Sequence, residues 1–165
     1  MSNLSGQFRF KVSTPWLLLT LVFVTFIWGN SLVPGQGSGS LSLSVMECAH
    51  EVLRSLGLPY AWLTNFIIRK TAHFTEYLVL GLFASQAFDR TGAASRASLV
   101  ATAVFCAFIP SIDETIQLFV ADRSGQVIDV LLDCCGAATG IALRTAWIKM
   151  RRVRNNSRQV RAKRA

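Results

Sequence analysis

Residues 15–33 form nineteen consecutive positions without a charge, just after Arg9 and Lys11. At about 1.5 Å of helical rise per residue the run reaches about 28 Å, close to the roughly 30 Å of a bilayer's hydrocarbon core. Backbone N–H and C=O groups find no water there, so a single segment must satisfy them internally, as an α-helix. Three further apolar runs follow, at 66–88, 97–120 and 126–148, each long enough to span. Charged residues make up 16% of the chain, where a soluble domain carries about 25%. Mean hydropathy is +0.41. A disordered chain and an ordinary water-soluble enzyme are thereby excluded as first readings. The sequence predicts an all-α fold: an integral membrane four-helix bundle with an interfacial amphipathic helix between helices 1 and 2. Residues 1–148 would form the transmembrane domain and 149–165 a basic cytoplasmic tail.

The first run also has the outline of a secretory signal, but cleavage after Gly29-Asn30-Ser31 would be poor without an Ala-x-Ala pattern, so an uncleaved helix is expected. Between the first two runs lie a Gly/Ser-rich linker, 34–40, and a segment, 41–58, with Val45, Ala49, Val52, Leu53 and Leu56 at helical spacing. Glu47, His50, Glu51 and Arg54 fall mostly on the other side, with His50 expected in water. This reads as a helix lying on the outer membrane surface, either a connector or a lid.

Net charge is +8, and eight of the 17 basic residues lie in 149–165, which leaves nine basic and nine acidic residues elsewhere. The basic excess is local. It argues for orientation rather than for nucleic acid. With both termini inside, Arg9, Lys11, Arg90, Arg96 and the eight tail residues lie on the cytoplasmic side, twelve in all. Arg54, Arg69, Lys70 and Arg123 lie outside, four in all, and Arg144 is near enough to the inner end to snorkel. Both termini are therefore expected in the cytoplasm. From Arg151 onward the tail is expected to be disordered and held near anionic lipid. Cys48, Cys106, Cys134 and Cys135 lack ligand spacing and read as small buried hydrophobes. No cofactor and no metal site is assigned.

Ionisable groups inside a membrane are costly and normally face one another or water. Here their depths coincide. His73 and Glu76 fall about 10 and 15 Å in from the outer end of span two. Asp113 lies about 24 Å above the inner end of span three, and Asp129 and Asp133 about 5 and 10 Å below the outer end of span four. Lys70, His73 and Tyr77 share a helix face, with Glu76 close by. Asp113 and Gln117 share another, while Glu114 is expected to point about 100° away. Asp129, Asp133, Gly136 and Gly140 form a stripe whose Gly-x-x-x-Gly spacing permits close backbone approach. The ligand-binding candidates are Arg69, Lys70, His73, Glu76, Tyr77, Asp113, Glu114, Gln117, Arg123 and Asp129. The alternative is a polar network that merely joins helices, with Arg69, Lys70 and Arg123 paired to the acids. Ser111 and Ser124 lack a local base, and no glycine-rich phosphate cradle is present.

Arg69-Lys70-Thr71-Ala72-His73-Phe74-Thr75-Glu76-Tyr77 resembles the RK-x-x-H-F-x-E-Y signature of VanZ-like membrane proteins. Asp113-Glu114-x-x-Gln117, then Arg123-Ser124-Gly125-x-x-x-Asp129-Val130-Leu131-Leu132 with Gly136 and Gly140, resemble that family's further blocks. Together they cover residues 69–140. This chain departs from the pattern at Ala121-Asp122, where the family commonly has Pro-Gly, and at Asp133, where it often has Asn. The resemblance implies a bacterial multi-pass protein of the cytoplasmic membrane, in a family named for association with low-level teicoplanin resistance.

Three functions follow as expectations. The first is a non-catalytic protein that binds a polar or anionic envelope component, or a ligand related to glycopeptide antibiotics, at the outer cluster. Arg69, Lys70 and Arg123 would hold the anion. Membrane lipids, including an envelope lipid or glycan precursor, are the expected partners. The second is an intramembrane enzyme on a lipid-linked substrate, with His73 or Glu76 as base and Asp113 or Glu114 as acid. In that case a His among three carboxylates has donors for a divalent metal. The third is a small transporter, disfavoured because span one carries no charge.

Overall fold

The computed structural model describes residues 12–89 and 95–162, the last five by backbone alone. Arg9, Lys11 and Arg90, on which part of the orientation argument rests, lie outside them. Five helices follow in order: α1 (Thr14–Ser31), α2 (Gly35–Ser55), α3 (Asn65–Phe88), α4 (Arg96–Gln117) and α5 (Val127–Ala162). The described residues contain no strand.

Local chemistry sets the helix ends. Pro15 occupies the first turn of α1, where its missing N–H costs nothing. Thr64 caps α3 by accepting from the Ile67 N–H at 3.4 Å, and Ser95 caps α4 by accepting from the Ser98 N–H at 3.2 Å. By length and composition α1 and α4 can cross a membrane. Their outward faces carry Leu21, Val22 and Phe26, and Val100, Val104 and Phe108, all exposed. Such apolar exteriors suit a lipid surround.

α3 is the central helix and packs on each of the other four. Its closest partner is α5, and glycine is the reason. A Cβ at Gly136 would collide with the Phe74 carbonyl, and one at Gly140 with the Leu78 carbonyl. The expected Gly-x-x-x-Gly contact thus lies against α3. Around it Val24, Ile27, Tyr77, Leu80, Ala84, Cys106, Ile109 and Ala137 form the core.

Four expectations need correction. The segment 34–40 is no linker, because α2 begins at Gly35. Gly35, where a Cβ would collide with the Asp122 carbonyl, packs against the loop between α4 and α5 and donates its N–H to the Ala121 carbonyl at 3.0 Å. Ser40 and Ser42 satisfy their hydroxyls on the carbonyls of Gly37 and Gly39, which helical geometry provides. α5 likewise continues as helix through Ala162 instead of ending in a disordered tail. Arginine and lysine favour helix, and the Arg151 guanidinium sits 5.0 Å over the Trp147 ring. Arg144 does not snorkel. It donates to the Gln86 side chain at 2.6 Å and the Asp89 carbonyl at 2.7 Å, tying α5 to the end of α3. Of the four cysteines, all free, Cys106 is buried, Cys134 is half-buried, and Cys48 and Cys135 are exposed.

Candidate functional site

Four segments meet at one end of the bundle. α3 brings Arg69, Lys70, His73, Glu76 and Tyr77, and the last turns of α4 bring Asp113, Glu114 and Gln117. The turn before α5 brings Arg123, and the first turns of α5 bring Asp129 and Asp133. That turn is tight. Asp122 takes φ +57°, a left-handed conformation that glycine adopts freely and aspartate tolerates. Here Asp122 takes the place where the sequence resemblance led to glycine, and it adopts a conformation that glycine also allows.

The deepest part is a cluster of His73, Asp113, Glu114 and Asp133, each offering one donor atom within 4.8 Å of the others. Asp113 and Asp133 are 0% exposed. Gln117 donates from its amide to Asp113 Oδ2 at 3.3 Å and Glu114 Oε1 at 3.0 Å. The Gln126 N–H donates to the other Glu114 oxygen at 2.9 Å. Glu114 thus faces inward beside Asp113, contrary to the 100° separation expected along an ideal helix face. Its bonds to Gln117 and Gln126 hold it there. Tyr77 is buried in the core within electrostatic reach of Asp113 and Asp133.

Around this cluster the remaining candidates divide. Lys70 is ion-paired with Asp129. Glu76 accepts from the Asn30 amide at 3.3 Å. Arg123 donates to the carbonyls of Val33 at 2.9 Å and Asn30 at 2.9 Å, closing the C-terminal end of α1. Among the described residues neither Arg69 nor Arg123 has a carboxylate partner at ion-pair distance. Both face a cavity of about 290 Å³ roofed by α2. Its polar wall holds Asn30, Arg69, His73, Glu76 and Arg123, and its apolar wall holds Val33, Leu41, Val45 and Ile68. Burial, then the like charge of Arg69, pushes the Arg123 guanidinium below its ordinary pKa.

Sequence reasoning missed three participants. Asp133, placed by its spacing at the depth of the cluster and on one face with Asp129, is not among the expected ligand-binding residues. Asn30 and Ser31 were read only as a poor cleavage site, yet Asn30 reaches Glu76, and the Ser31 hydroxyl lies 3.5 Å from the Gln117 amide. Two polar residues ending an uncharged span were the available signal. His50 is not simply solvated: its ring lies 2.7 Å from the Leu63 carbonyl and packs on Tyr60, anchoring α2 to the chain that follows it.

Two helices long and apolar enough to cross a membrane, with buried carboxylates gathered at one end of the bundle, point to the class of helical membrane proteins. The chain belongs to the VanZ/LLP1 family, whose model matches residues 15–148. No curated protein and no solved structure matches it. Membership in that family supports a membrane protein linked to the envelope or to antibiotic resistance.

Proposed function

We propose that the chain crosses the bacterial cytoplasmic membrane four times, through α1, α3, α4 and α5, with both termini in the cytoplasm. α2 lies at the outer interface as a lid, and the cavity beneath it binds the anionic headgroup of an envelope lipid or lipid-linked glycan precursor without catalysing a reaction. The observation that carries this reading is that Arg69 and Arg123 line one cavity and that, among the described residues, neither is ion-paired. A joining network would have spent both guanidiniums on the nearby acids, as it spends Lys70 on Asp129. A phosphate accepts from two guanidiniums at once and relieves their mutual repulsion. The apolar wall of Leu41, Val45 and Ile68 suits the glycerol and upper acyl region.

The test is binding of short-chain phosphatidylglycerol and phosphatidylcholine to the full chain in nanodiscs, read by native mass spectrometry. Phosphatidylglycerol should bind preferentially, and Arg69→Gln should weaken it about 10- to 100-fold, the worth of a charge-assisted hydrogen bond. Equal retention of both lipids, or retention indifferent to Arg69→Gln, contradicts the proposal. Arg69 is the better probe, because Arg123 also holds the end of α1.

A further inference from the structure

We propose that His73, Asp113, Glu114 and Asp133 bind one divalent first-row transition-metal ion. The inference goes beyond headgroup binding and does not depend on it. Its first support is convergence: one imidazole nitrogen and three carboxylate oxygens from α3, α4 and α5 lie within 4.8 Å of one another. Bonds of about 2.0–2.2 Å put opposite donors of an octahedral ion about 4.2 Å apart, so small side-chain shifts close the cluster on an ion.

Its second support is independent of the clustering. Asp133 is 0% exposed, and among the described residues neither of its oxygens has a hydrogen-bond partner. The buried Nδ1 of His73 also lacks one and lies 3.8 Å from Asp133 Oδ1. Buried polar atoms are normally satisfied, and those that are not point to an ion, a water or a functional role. Local cations do not supply what is missing. Lys70 is committed to Asp129, and among the described residues Arg123, which gives two of its five N–H donors to backbone carbonyls, stands at ion-pair distance from none of the four ligands. A dication answers both observations, since it offsets three converging carboxylates and accepts the lone pairs that nothing else takes.

The surroundings have the form of a ligand-holding layer. Gln117 donates to both Asp113 and Glu114, and the Gln126 N–H fixes the second oxygen of Glu114. Partners of this kind orient metal-binding side chains. The donor set selects the ion class: imidazole favours zinc, iron and similar ions over magnesium or calcium, three carboxylates also admit manganese, and no thiolate joins to favour copper(I).

The experiment uses the full chain in nanodiscs, stripped with a chelator and titrated separately with Zn²⁺ and Mn²⁺, with no anionic lipid present. Binding of one ion per chain, competition between the two metals and indifference to excess Mg²⁺ are expected. Asp133→Asn, which keeps the side chain's shape, and His73→Ala should each weaken binding by more than about 100-fold, beyond the usual loss from removing an outer partner. Arg69→Gln removes no metal ligand and takes a positive charge away from the cavity it shares with His73, so it should bind metal at least as tightly as wild type while losing the headgroup, which keeps failure of one proposal distinguishable from failure of the other. Should both ligand variants fail to fold, X-ray absorption at the zinc edge of the wild type decides. A shell of oxygens with one imidazole supports the site, whereas sulfur ligation or an imidazole-free shell overturns it. Folded wild type that takes up no stoichiometric ion, or Asp133→Asn that binds as tightly, also overturns it.

Discussion

Asp122 carries the strained backbone of the turn that presents Arg123. An L-residue at φ +57° costs about 1 kcal/mol that glycine does not pay. Asp122→Gly should therefore raise stability by about 0.5–1 kcal/mol, visible as a higher melting temperature in detergent, with Arg69-dependent lipid binding unchanged. A lower melting temperature would mean that the aspartate side chain contributes more than the strain removes. At this scale the sequence was informative about residue type and poor about roles. Charges set in apolar helices announced His73, Glu76, Asp113 and Asp129, because burying them without a partner is costly. The sequence did not reveal which acid meets which cation. Glu114 turns inward through bonds to Gln117 and Gln126, and the Gln126 bond crosses from helix to loop, beyond any single-helix projection. Asp133 became central only once the contact between α3 and α5 set its position beside His73.

Among the elements, the pairing of α3 with α5 holds the site together, since it sets both the Lys70–Asp129 pair and the approach of His73 to Asp133. It depends on Gly136 and Gly140, whose missing side chains leave room for the carbonyls of Phe74 and Leu78. Gly136→Leu should force the helices apart and cost at least about 3 kcal/mol, at the upper end of overpacking penalties. A sharp fall in detergent-extracted folded protein would be the readout, and near-wild-type yield and melting temperature would refute the close contact. Gly-x-x-x-Gly in register with two aspartates made the inward packing of this face of α5 legible in advance, but not that α3 is its partner. The start of α2 was not legible, because Gly and Ser ordinarily mark linkers. At Gly35 a Cβ would collide with the Asp122 carbonyl, so the first residue of the helix is small because of a tertiary contact that local propensity does not announce.

For the whole molecule, the two most apolar helices were plain from composition, while α3 and α5 dilute their hydropathy with the residues of the site. Orientation is a separate matter and rests on the distribution of basic residues. In a cysteine-free background of intact cells, a cysteine at exposed Ser55 should react with an impermeant maleimide and one at exposed Ser157 should not. The opposite pattern would invert the topology and place the cavity on the cytoplasmic side. The central claim is that the space beneath α2 receives an anionic headgroup between Arg69 and Arg123. Its most direct test is a high-resolution cryo-electron microscopy map of the full chain in native lipid, with a fiducial binder on the basic helix end. The account predicts phosphate density within hydrogen-bond distance of both guanidiniums and acyl density running past Leu41 and Val45. A cavity closed by its own side chains, with lipid phosphates only around the rim of the bundle, would contradict it.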